Sequence, residues 1–95
     1  KEVEKSLGIG MMNIFAEIGK MLSLKPSDDS VQEKVAELRA YITEHFYNCT
    51  PEILSGLGQM YAAGGEMTEN INNYGGEGTA EFTAEAIRIY CKKQR

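Results

Sequence analysis

Apolar residues return along this chain in steps of three and four and never alternate with period two, so the pattern predicts helices and no strands. Over residues 1–22 the stripe is Leu7, Met11, Ile14, Ile18 and Leu22, widened by Met12 and Phe15. Lys25-Pro26 ends that element, and Ser27-Asp28-Asp29-Ser30 offers caps and carboxylates for a new start. The second stripe is Val31, Val35, Leu38 and Ile42, continuing to His45 or Phe46; the three-residue step after Ile42 turns His45 inward or onto a cleft. The clearest start is Thr50-Pro51-Glu52. Threonine at an N-cap accepts a bond from an orphan N–H, proline at the first helical position lacks the donor that would be orphaned there, and glutamate faces the positive end of the helix dipole. A third helix therefore covers residues 51–63, with Ile53, Leu57 and Met60 on one face and Leu54 and Tyr61 beside it, until Gly64-Gly65 stops it. A short amphipathic piece over residues 67–74 aligns Met67, Ile71 and Tyr74. After Gly75-Gly76, Thr79 caps the last helix, Glu81 sits in its first turn, and Phe82, Ala86, Ile89 and Tyr90 form its buried side. Short connections between such helices fit one compact all-α domain.

Glycines interrupt two of these helices: Gly8, Gly10 and Gly19 in the first, Gly56 and Gly58 in the third. Each costs up to ~1 kcal/mol against alanine in a helix interior. Either they admit a neighbour at close range, or the first helix is only marginally stable alone.

The length of 95 residues fits one domain, and a formal net charge of -4 changes the picture of its partners. Phosphate contacts need clustered cations, so this stretch is not expected to bind nucleic acid. Its one basic cluster, Lys92-Lys93-Gln94-Arg95, closes the last helix, where cations complement the dipole. Two cysteines do not make a secreted disulfide framework, the charged opening KEVEKSLG is no signal peptide, and no apolar run reaches the ~18 residues of a membrane span. A reducing, cytoplasmic location is the expectation. The chain starts in mid-pattern at Lys1, without a Met or a cap, as a fragment of a longer protein would.

Candidate chemistry concentrates in residues 45–61. Cys49 lies just outside a helix N-terminus, where a thiolate is stabilised, and His45 stands four residues before it. A thiol- or haem-dependent activity on Cys49 and His45 is the enzymatic reading. Spacing specifies no acid partner and no oxyanion hole, and His45, Cys49 and Cys91 fall short of the four ligands of a structural zinc site. Gly75-Gly76-Glu77-Gly78 lacks the ending and the preceding strand of a phosphate loop. The expectation is no enzyme, no metal and no cofactor. Phe15, Phe46, Tyr47, Met60, Tyr61 and Tyr74 gather instead near helix junctions, and Met11-Met12 is soft, adaptable surface. Such side chains line a pocket with apolar faces and polar tips, as in a binding module.

Ile9-Gly10-Met11-Met12 with Phe15-Ala16, Tyr41-Ile42-Thr43-Glu44-His45-Phe46-Tyr47, Cys49, Leu57-Gly58-Gln59-Met60-Tyr61, Thr68-Glu69-Asn70-Ile71 and Gly78-Thr79-Ala80-Glu81-Phe82 through Glu85-Ala86-Ile87 together resemble the TipAS antibiotic-recognition domain. That domain is the C-terminal, effector-binding half of MerR-type transcriptional activators. Each motif alone is weak; their order, from Ile9 to Cys91, is specific. The resemblance implies a globin-like bundle of about five helices without haem, which captures thiopeptide or other bulky antibiotics. It also implies a longer, homodimeric regulator whose DNA-binding half and dimerising helix lie outside this chain. Promoter DNA and RNA polymerase would be reached only through that full-length protein, while this domain is itself monomeric. In the family's thiostrepton-binding member a cysteine directly before the Leu-Gly-x-Met-Tyr motif bonds to a dehydroalanine of the drug; Gly56 stands there in this sequence, and Cys49 matches a different cysteine. The expected site is therefore a non-covalent cleft at His45, Tyr47, Met60, Tyr61, Phe15, Met12 and Cys49.

Overall fold

The computed structural model describes the backbone of residues 2–93 and the side chains of residues 9–93. Five helices follow one another: α1 (Glu2–Gly19), α2 (Asp29–His45), α3 (Pro51–Tyr61), α4 (Glu66–Gly75) and α5 (Thr79–Lys93). No strand occurs among the described residues. Local chemistry fixes the ends. Asp28 caps α2 by accepting from the Ser30 N–H at 2.9 Å, and Thr50 caps α3 by accepting from the Ile53 N–H at 3.2 Å, with Pro51 in the first turn. At the α3–α4 turn, Thr68 Oγ1 donates to the Tyr61 carbonyl at 2.6 Å and accepts from the Gly64 N–H at 3.0 Å. At the α4–α5 turn, Asn72 Oδ1 accepts from the Ala80 N–H at 2.8 Å.

The core collects Ile14, Phe15 and Ile18 from α1, Val31, Val35, Leu38 and Ile42 from α2, Leu54 and Tyr61 from α3, Ile71 from α4, and Ala80, Ala86, Ile87 and Cys91 from α5. Phe15 meets Tyr61 edge-to-face at a centroid distance of 5.2 Å, an arrangement the ring quadrupoles favour. The Cα radius of gyration, 12.2 Å, matches the ~12 Å of a compact chain of this length.

The stripe read on α2 is buried from Val31 to Ile42 but not at His45 or Phe46, which are exposed, and those on α3 and α5 are rotated. On α3 the buried residues are Leu54, Gly58 and Tyr61, while Ile53 and Met60 are exposed. The reason is Gly58: a Cβ there would come within 3.0 Å of Ile87, so bare backbone lets α5 seat against this face. On α5 the buried side is Thr79, Ala80, Thr83, Ala86, Ile87 and Cys91, mostly small residues, and Phe82, Ile89 and Tyr90 are half-buried at its flanks. α1 ends at Gly19 rather than Leu22, and Leu7 and Gly8 lie outside the described side chains. The remaining α1 glycines are explained by close approach. A Cβ at Gly19 would strike the Gly75 backbone, and one at Gly10 the Tyr41 hydroxyl. Gly56 is different, with nothing within 4 Å of where its Cβ would be.

Candidate functional site

The site begins where α2 runs out of core. Phe46 and Tyr47 both donate their N–H to the Ile42 carbonyl, at 2.9 and 3.1 Å, and the chain peels away from the helix there. Two residues on, Cys49 is fully buried and held at both backbone groups. Its N–H donates to Thr43 Oγ1 at 3.1 Å, and its carbonyl accepts from Arg39 Nε at 2.7 Å. The short connection between α2 and α3 is therefore held at Cys49 through both backbone groups, while the side chains of its aromatic residues stay about half exposed: Phe46 48%, Tyr47 50%.

These two rings form one wall of a cleft of about 210 Å³. Ile42 closes it from α2, Leu57, Met60 and Tyr61 from α3, Met11 from α1 and Met67 from α4. No charged side chain is among these residues. Three thioethers and three aromatic rings give a surface that is apolar, polarisable and able to re-pack. Met60, 47% exposed, stands at the mouth, and Tyr61, 1% exposed, is the floor. Burial pushes the Tyr61 phenol far above the ordinary tyrosine value, with the nearby Tyr47 and Cys49 adding to the effect, so its hydroxyl stays neutral. A larger groove of about 340 Å³ between α3 and α5 is lined by Glu81, Glu85 and Arg88 among others. Charged groups hold water there, and an apolar ligand gains less from displacing it.

Of the residues expected at the site, Tyr47, Met60 and Tyr61 line the cleft together. Phe15 is fully buried under Tyr61 and supports the floor without lining it. Met12 is half-buried against the core, and its neighbour Met11 takes the place in the cleft wall. His45 does not turn inward: α2 extends a turn past the core, and the exposed imidazole lies over Tyr41 with ring centroids 4.4 Å apart. Cys49 is not the stabilised thiolate its position outside α3 leads one to expect. Burial pushes its pKa up, more strongly than the Arg39 guanidinium draws it down, with Cys91 adding to the rise. Cys91 is also buried, its thiol 3.2 Å from the Pro51 carbonyl. Sequence reasoning missed Met11, Ile42, Leu57 and Met67 as lining residues. The α3 stripe Ile53, Leu57, Met60 was a usable signal, since it is more apolar surface than the core accepts; nothing local marks Met67.

Among the described residues no cluster of His, Cys, Asp or Glu could hold a metal ion, and no helix is long and apolar enough to cross a membrane.

Residues 1–90 match the family described as the TipAS antibiotic-recognition domain. The chain is 39% identical over 82 residues to the HTH-type transcriptional activator mta of Bacillus subtilis (strain 168), covering 86% of this chain and 32% of the activator. It thus spans well under half the length of that curated relative. No solved structure matches. The family is one of antibiotic recognition within regulators rather than of catalysis, and this chain belongs to the TipAS antibiotic-recognition domain family.

Proposed function

We propose that this domain is the effector-sensing part of a MerR-type transcriptional activator, and that it holds a bulky, partly apolar antibiotic reversibly in the cleft between the α2–α3 connection and α3. The observation that carries the reading is the uncharged lining of thioethers and aromatics, with Phe46, Tyr47 and Met60 standing about half exposed around it. Apolar surface this concentrated is stabilised when a ligand removes it from water, by ~25 cal/mol per Å².

At about 210 Å³ the cleft is smaller than the roughly 300–1,000 Å³ that encloses a drug-sized ligand, but larger than the ~150 Å³ cavity that takes up benzene. It therefore grips one ring system or apolar side group of the drug. The rest of the ligand lies across the outer face of α3, where Ile53 is exposed. Reversible binding is supported by two features: the Cys49 thiol is buried with its pKa pushed up, and Gly56 occupies the place of the family's attaching cysteine. Promoter DNA and RNA polymerase are engaged by the remainder of a longer, dimeric, cytoplasmic regulator.

The test is a thermal-shift screen against structurally varied antibiotics, where a binder at 100 times its Kd adds roughly 2.7 kcal/mol. Any hit is then titrated against Tyr47→Ala and Met60→Ala. Both side chains are about half exposed, so the variants fold, and each is expected to lose about 1–2 kcal/mol of binding, roughly 5- to 30-fold. Unchanged affinity in both would place the ligand elsewhere. Covalency is read separately, by denaturing mass spectrometry after incubation with a dehydroalanine-containing thiopeptide. The unmodified protein is expected to release the drug. Gly56→Cys, whose side chain enters open space, is expected to retain it.

A further inference from the structure

The α2–α3 connection supplies the aromatic wall of the cleft but is not itself a regular element: beyond the Phe46 and Tyr47 N–H bonds to Ile42, it is held to α2 at Cys49. We propose that Arg39, acting with Thr43, is a positioning residue for ligand binding: a latch on Cys49 that fixes the connection so that Phe46 and Tyr47 stand over the cleft. The inference rests on the reading of that cleft as the drug site. Arg39 and Thr43 project from successive turns of α2 and divide the Cys49 peptide groups between them. Thr43 Oγ1 accepts the N–H at 3.1 Å, and Arg39 Nε donates to the carbonyl at 2.7 Å. A hydrogen bond from an ionised donor is among the stronger kinds, and this acceptor belongs to a fully buried residue. Arg39 is in turn oriented by α5, since its Nη1 lies 3.3 Å from the Tyr90 hydroxyl. Three elements thus meet on one guanidinium: α2 carries it, α5 aims it, and the connection hangs from it.

The geometry accounts for two features that packing leaves open. Cys49 is buried although Tyr47 and Asn48 before it are exposed, and both its backbone groups are held by α2 side chains. Arg39 is only partly exposed and turns its directional donors to the Cys49 carbonyl and the Tyr90 hydroxyl. Lysine cannot replace it, because one rotatable ammonium does not reach carbonyl and phenol in a fixed fork.

The experiment uses the five methionines as reporters, three of which line the cleft. With methyl-labelled methionine, ligand-free Arg39→Lys and Arg39→Ala are expected to move the Met60 resonance, because the aromatic rings beside it shift. Met21, packed on the core outside the cleft, is expected to stay. Val35→Ala, a core truncation on the same helix, is the control: it lowers stability and is expected to leave Met60 in place. An unmoved Met60 in both Arg39 variants, or an equal movement in Val35→Ala, would overturn the latch whether or not a drug is known. The antibiotic hit from the screen then serves as probe. Arg39→Lys is expected to weaken it roughly tenfold. In a cycle with Tyr47→Ala the two losses are expected to be less than additive, since Arg39 acts through that wall. Additive losses would overturn the positioning role. Undiminished affinity in Tyr47→Ala together with Met60→Ala would instead remove the drug-site reading, and the binding role of the latch with it, while the ligand-free shifts still decide whether the latch exists.

Discussion

Tyr61 belongs to two structures at once: its ring meets Phe15 in the core, and it also lies in the lining of the cleft. Tyr61→Ala is expected to cost about 3–5 kcal/mol in urea unfolding, as for other large aromatic truncations. Lost drug binding in that variant reports lost folding, so Tyr47 and Met60 are the better probes of the site. Tyr61→Phe keeps the ring and is expected to stay within about 1.5 kcal/mol of the parent. Titration of the same residue makes a second expectation. Burial raises both the Cys49 thiol and the Tyr61 phenol above their ordinary values of 9.0 and 10.0. The unfolded chain then releases these protons at lower pH than the native one, so above the ordinary thiol value the native state binds more protons and stability falls as pH rises. The urea midpoint is expected to be level with respect to these two groups up to about pH 8, then to drop through pH 9–11. A midpoint that held to pH 11 would contradict the burial of both groups.

At the level of elements, the crossing of α1 and α4 depends on two backbones touching at Gly19 and Gly75. Gly19→Ala places a methyl into the Gly75 carbonyl with no flexible neighbour to yield, and is expected to destabilise by about 1–3 kcal/mol despite alanine's better helix propensity. Gly56→Ala, facing open space on α3, is expected to stabilise by about 0.5–1 kcal/mol. Paired urea melts check both signs. The same contrast explains what was legible in the sequence. α2 was readable because Val31, Val35, Leu38 and Ile42 are all its large aliphatic residues, so periodicity leaves a single face to bury. On α3 and α5 large apolar residues occupy more than one face, and the choice falls to small ones, Gly58, Thr83 and Ala86, that let the helices close. Hydrophobic periodicity weights bulk and so selects the wrong stripe. For the cleft, Tyr47, Met60 and Tyr61 were legible as aromatic and thioether groups converging at one junction. Met11 and Met67 were not, because only the packing of α1 and α4 against the others brings them there. His45 was misplaced because a helix stripe carries no sign of where the core beneath it stops.

Across the whole molecule the distribution of charge decides which partners this domain can meet alone. The chain carries ten Lys and Arg against fourteen Asp and Glu, a formal net charge of -4. Several described cations are already engaged. Lys34 pairs with Glu17 and Glu37, Arg88 with Glu85, and Arg39 turns to the Cys49 carbonyl and Tyr90. Exposed pairs of this kind contribute little to stability, but they cancel the field a nucleic acid would read. The other cations with described side chains sit in separate places along the fold, Lys20 and Lys25 between α1 and α2, and Lys92 and Lys93 at the end of α5. Duplex binding draws its affinity from neutralising several neighbouring phosphates and releasing their counterions, which needs cations on one face. The isolated domain is therefore expected to leave the anisotropy of a labelled promoter duplex unchanged at low salt, where electrostatic binding is strongest. With a saturating hit from the screen the result is expected to be the same, because the cleft lining carries no charge. Binding that appears at low salt and weakens steeply as salt is raised would assign DNA contact to these five helices.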